Sequence, residues 1–152
     1  MVDDRTMSTS RHYAHPRQRV WQAWTNPTEI GKWWGPNGFT TTTSEMDVRP
    51  GGKWRFIMHG PDGRDYENLV TYTEVQEPAR LGYRHEGAGD TADILFEVIV
   101  EFVEEAPETT RLEMRSVFAT AAELSRVIEE FGAREGAQQT LARLAEHLEA
   151  NS

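Results

Sequence analysis

From Phe39 to Phe118 the chain adopts a period of two and holds it through six runs separated by short turn-forming stretches. The runs are Phe39–Val48, Lys53–His59, Tyr66–Val75, Arg80–His85, Asp93–Val103 and Thr110–Phe118, and the breaks are RPGG, GPDG, QEPA, EGAGDTA and EEAPET. Successive side chains point to opposite faces of a strand, so alternation marks one dry face and one wet face. Connections this short join neighbours antiparallel, whereas parallel pairing needs a crossover of a dozen or more residues. The pattern therefore predicts a meander whose apolar face must be covered by something else.

The alternation also assigns faces. Trp54, Phe56 and Met58 point one way, with Lys53, Arg55, Ile57 and His59 opposite; Ile94, Phe96, Val98, Val100 and Phe102 alternate with Glu97 and Glu101. Upstream, Met7–Tyr13 alternates loosely and predicts a first strand. Pro16 suits the first turn of a helix, where its missing N–H is not needed, and Val20, Trp21 and Trp24 give that helix an apolar side. In NPTEI, Asn26 is placed as N-cap, Pro27 at the first helical position and Glu29 to reach back to the cap. This second short helix ends at Trp33–Trp34, because Gly35 and Pro36 cannot continue it.

Ala121–Ala150 has no proline and reads as one helix, which at about 1.5 Å per residue spans roughly 40 Å and crosses a whole sheet. Its stripe shifts phase: Leu124, Val127, Ile128 and Phe131 share one face, while Leu141, Leu144 and Leu148 lie about a third of a turn away. The shift falls at GAREGA, where the helix either bends or faces a space. The architecture expected is α+β: a strand, two short helices, a curved antiparallel sheet of six or seven strands in all, and a long C-terminal helix on its dry face. One domain over residues 1–152 is expected from the length.

Charge and composition narrow the partners. A net charge of −9, with 25 acidic and 16 scattered basic residues, argues against nucleic acid and against an anionic membrane surface. The absence of cysteine excludes disulfides and thiol nucleophiles and is compatible with a reducing cytoplasm. The N-terminus, with Asp3 and Asp4 and no apolar run, reads as neither signal peptide nor anchor, so a cytoplasmic protein is expected.

Four stretches, RVWQAWTNPTEIGKWWGP, DVRPGGKWRFIMHGPDG, EVQEPARLGYRHEG and FGAREGAQQTLARLAEHLEA, resemble the activator of heat-shock protein 90 ATPase homologue-like group within the START-like, helix-grip (SRPBCC) superfamily. They occur in the same order and span nearly the whole chain. The resemblance implies the helix-grip fold and a hydrophobic cavity between sheet and C-terminal helix. It implies little chemistry, since relatives include lipid carriers and polyketide cyclases. It does not imply a chaperone partner, because the eukaryotic activators carry a further N-terminal domain.

The lining expected of such a cavity is Trp34, Trp54, Phe56, Met58, Phe96, Val98, Met114, Phe118 and Phe131, with Gly136 and Ala137 leaving room; composition does not separate lining from plain core. Tyr66, Asn68, Tyr72, Tyr83 and His85 are the polar groups that could orient a ligand, and Tyr66, Asn68 and Tyr72 share one parity; His85 begins a Gly-rich loop, where a histidine is more often solvated. GxSxG, HExxH and a phosphate loop are missing, and HYAH at His12–His15 has metal-like residue types without a third ligand. No metal or cofactor is expected. Three functions stay open: a binder of a small hydrophobic or amphipathic molecule, favoured by the aromatic rows; a cyclase- or hydrolase-like enzyme using Tyr72, His85 or Glu113; and an interaction module, including a homodimer.

Overall fold

The computed structural model describes residues 4–86 and 95–150, with the side chains of all of these except Glu130 and Phe131. A strand β1 (Thr6–Tyr13) leads into helices α1 (Arg17–Thr25) and α2 (Pro27–Ile30). Strands β2 (Thr40–Met46), β3 (Lys53–His59), β4 (Asp65–Gln76), β5 (Arg80–Glu86), β6 (Leu95–Ala106) and β7 (Thr109–Phe118) follow, then helices α3 (Ala121–Phe131) and α4 (Ala133–Ala150). The strands form one seven-stranded antiparallel sheet in the order β1-β7-β6-β5-β4-β3-β2, with the first strand closing onto the last. This is the helix-grip arrangement. The expected strand start at Asp93 and the inward Ile94 lie outside the described residues.

Local chemistry sets the boundaries. Asn26 Oδ1 accepts from the Thr28 backbone N–H, as an N-cap should. Glu29 does not complete a capping box: its carboxylate turns away to Arg19 and His147, at 2.8 and 2.9 Å. Two charged or ionisable partners outcompete one exposed amide for that oxygen. The β2–β3 turn needs Gly52, where a Cβ would stand 2.0 Å from the Asp47 carbonyl oxygen. The GPDG turn closes with Gly63 N–H bonded to the Gly60 carbonyl at 3.1 Å, and Gly63 at φ 85°.

The C-terminal segment is two helices rather than one. Gly132 adopts φ 61°, a left-handed conformation that ends α3, and α4 begins at the next residue. The phase shift in the sequence has this cause. Leu124 and Val127 pack with Met7 and Phe118 in a small cluster, whereas Leu141, Leu144 and Leu148 enter the main core. Phe131, whose side chain is not among those described, is left out of this account.

The tryptophans organise the main core. Trp24 meets Trp33 and Trp34 edge-on at 5.2 and 5.3 Å, and Trp34 meets Trp54 at 5.1 Å. Edge-to-face contacts at these separations are the favoured geometry for aromatic quadrupoles. Trp33 Nε1 donates to the Ala23 carbonyl at 3.1 Å and Trp54 Nε1 to Thr43 Oγ1 at 3.1 Å, so both rings bury without losing their polar handle. Tyr13 Oη donates to the Leu141 carbonyl at 2.9 Å, fastening β1 to α4.

Candidate functional site

A cavity of about 310 Å³ lies between the sheet and the α3–α4 break. Its sheet wall follows from strand register. Tyr83 pairs with Val98 and Val98 with Ser116, forming one row across β5, β6 and β7; His85, Phe96 and Phe118 form the next. Phe96 and Phe118 stack at 4.7 Å, and Phe96 meets the His85 ring edge-on at 4.8 Å. The helical wall is built from Val127, Gly132, Ala133, Gly136, Ala137 and Thr140, a run of small side chains that stops short of the sheet.

A third wall is the turn after α2. Arg143 of α4 donates through Nη1 to the carbonyls of Gly35 at 2.8 Å, Pro36 at 3.1 Å and Trp34 at 3.4 Å. Burial pulls its guanidinium below the usual range, partly offset by Glu146. Gly35, at φ 105°, leaves room for Met58 and Phe39, whose atoms would lie 3.2 Å from any Cβ there. The loop is thus held in place by a cation whose charge is spent on backbone oxygens.

Of the residues expected at the site, Trp34, Met58, Asn68, Tyr83, Phe96, Val98, Met114, Phe118, Gly136 and Ala137 border this cavity. Trp54, Phe56 and Tyr72 do not. Trp54 and Phe56 stack on each other at 3.9 Å within the core, and Tyr72 is 2% exposed with its ring edge-on to Tyr83. They share a face with the lining but sit deeper under the helices. Phe131 falls outside the described side chains.

His85 corrects the reading of a solvated histidine. Its Nε2 lies 2.9 Å from Asn68 Oδ1, it borders the cavity, and burial pushes its imidazole down to about 4. Its parity accounts for its place in the wall: it lies two residues from Tyr83 on the same strand face. Met7, Pro36, Ser116 and Thr140 are further lining residues without a sequence signal of their own. Burial also raises the phenols of Tyr72 and Tyr83, with the Tyr72 phenol adding at Tyr83, so both stay neutral. Glu113 points away, toward Arg111 on the outer face of β7.

His12 and His15 do not converge. Each meets its own carboxylate, Glu105 at 2.9 Å and Glu149 at 3.3 Å, and no group of three candidate metal ligands occurs among the described residues. No helix among the described residues is long and apolar enough to cross a membrane.

Comparison with known proteins fits this geometry. The sequence model described as Activator of Hsp90 ATPase homolog 1-like protein matches residues 14–149. The chain belongs to the Activator of Hsp90 ATPase homolog 1-like family. Solved structures share its architecture: a solution structure of a protein from Arthrobacter aurescens superposes with a TM-score of 0.91 at 23% identity, over 99% of this chain and 90% of that one. A crystal structure of a protein from Mycobacterium smegmatis gives 0.83 at 28% identity, over 94% and 90%. One from Nitrosomonas europaea gives 0.85 at 23% identity, over 99% and 98%. No curated protein sequence matches the chain. Family membership thus brings the helix-grip fold and is consistent with a START-like ligand-binding module.

Proposed function

We propose that the protein binds a small apolar or amphipathic molecule in the cavity between sheet and α3–α4. The observation that carries this reading is the void itself: about 310 Å³ beneath Gly132–Ala137, walled by aromatic, methionine and alanine side chains with a few polar groups among them. Volumes of about 300–1,000 Å³ with sparse, placed polar groups are the usual form of a small-molecule site. Protein interiors otherwise leave few voids larger than a water molecule, so a cavity of this size is a feature to be explained. The low basicity of His85 favours binding over catalysis, since a general base works best with a pKa near the working pH.

Native mass spectrometry of gently purified protein, followed by denaturation, tests the reading. A stoichiometric small-molecule adduct, or saturable binding of the neutral fluorophore 1-aminoanthracene by the apo protein, is the expected result. A clean apo mass together with no saturable uptake of the fluorophore would overturn it.

A further inference from the structure

Resting on that reading, the polar atoms in the cavity wall narrow the ligand. The Tyr66 carbonyl accepts from Asn68 Nδ2 at 3.0 Å. A carbonyl can only accept, so this contact fixes which end of the Asn68 amide is nitrogen and turns Oδ1 toward His85. Oδ1 likewise only accepts. The hydrogen on the 2.9 Å contact therefore belongs to His85 Nε2, and in the neutral ring Nδ1 carries the lone pair. Nδ1 has no hydrogen-bond partner among the described residues.

Two more groups in the wall are unspent. Tyr83 is 3% exposed and Ser116 is 4% exposed, both border the cavity, and neither hydroxyl has a hydrogen-bond partner among the described residues. Tyr83 lies two residues from His85 on the same face of β5, about 7 Å away at Cα. Among the described residues, no Asp, Glu, Lys or Arg side chain borders the cavity. Arg143, which reaches the wall at Trp34, Gly35 and Pro36, is committed to their three carbonyls.

We propose that the cavity selects uncharged amphiphiles bearing a hydrogen-bond donor, a hydroxyl above all, with His85 Nδ1 as the acceptor. An alcohol can donate to Nδ1 and accept from a neighbouring hydroxyl of the wall. An ether can only accept, and leaves Nδ1 buried without a partner. A carboxylate brings a charge into a wall whose described residues offer no counter-charge, and points lone pairs at a lone pair.

The test is displacement of 1-aminoanthracene by octan-1-ol, its methyl ether and octanoate at pH 7, on the wild type and on His85→Phe. Phenylalanine keeps the ring contact with Phe96 while removing both nitrogens. Octan-1-ol is expected to bind the wild type about five- to tenfold tighter than the ether, the range of one neutral hydrogen bond. That preference is expected to collapse to within about twofold in the variant, and octanoate to displace nothing where octan-1-ol saturates. In the wild type alone, long-range ¹H–¹⁵N spectra are expected to show His85 as the Nε2–H tautomer, with the Nδ1 resonance moving when octan-1-ol is added. Equal affinity for alcohol and ether, competition by octanoate, or an Nδ1–H tautomer would each overturn the assignment while leaving the cavity reading intact. Failure of the fluorophore to bind at all would overturn both.

Discussion

His147 Nε2 lies 2.9 Å from Glu29 Oε1 across 118 residues of chain, and Arg19 Nη2 meets the same oxygen at 2.8 Å. One carboxylate oxygen thus joins α1, α2 and α4. Burial alone would raise the Glu29 pKa, but the hydrogen bonds and charges of His147 and Arg19 outweigh it and hold the carboxyl below its ordinary value. The folded state therefore releases this proton more readily than the unfolded chain. Stability from this group is complete above the ordinary carboxyl range and is lost as pH falls through the lower folded value. Glu29→Gln is expected to cost about 1–3 kcal/mol at neutral pH. Urea unfolding of both proteins against pH checks it: the gap should narrow in acid, and a gap constant down to the acid limit would remove the linkage.

His85 has a consequence of the same sign within a different pH window. Its folded pKa of about 4 lies below the ordinary histidine value of 6.5, so on acidification the unfolded chain takes up the proton first. This contribution to stability is complete above about 6.5 and is lost progressively down to about 4. His85→Phe lacks it. The variant should gain on the wild type as pH falls across that window in thermal unfolding scans, and parallel pH curves would contradict a half-buried ring held neutral.

Ala137 and Gly136 keep the helical wall back from the sheet, and a Cβ on Gly136 would come no closer than 3.8 Å to Pro36. Ala137→Phe is expected to fill the void. Affinity for 1-aminoanthracene should fall at least about tenfold, while a ring filling empty space costs less than the roughly 1–3 kcal/mol typical of overpacking. Undiminished uptake by a folded variant would place the ligand elsewhere.

Tyr13→Phe removes the hydroxyl that donates to the Leu141 carbonyl at 2.9 Å. That carbonyl sits inside α4 and keeps its place in the helix ladder, so the loss should be near that of one neutral hydrogen bond, about 1 kcal/mol. Chemical denaturation gives the number directly. A loss of several kcal/mol would mean that the contact between β1 and α4 holds more of the fold than one bond.

Much of this architecture was legible in the sequence because it rests on local periodicity. Lys53–His59 was readable to the residue, since each alternate side chain along it carries the pattern of its own face. The helix break was readable as a phase shift, and Gly132 is its physical origin. What alternation does not encode is depth. Trp54 and Phe56 share their parity with Met58, yet only Met58 reaches the cavity, because Trp34, in the turn that follows α2 rather than at its end, packs on the other two. Glu29 was misread because its partners are distant in sequence, and a capping motif describes only near neighbours. The solvated alternative for His85 fails for the same reason: Asn68, Phe56 and Phe96 contact it from three other strands.

The edge-to-face series Trp24, Trp33, Trp34 and Trp54, with successive rings 5.1–5.5 Å apart, also has an optical consequence. At such separations excitation absorbed by one indole passes to the others before it is emitted, so four chromophores radiate as a coupled set. Trp34 is the member that borders the cavity. Whatever changes the polarity around that single ring shifts the emission of the whole set, which makes the protein its own spectroscopic sensor for the contents of the cavity.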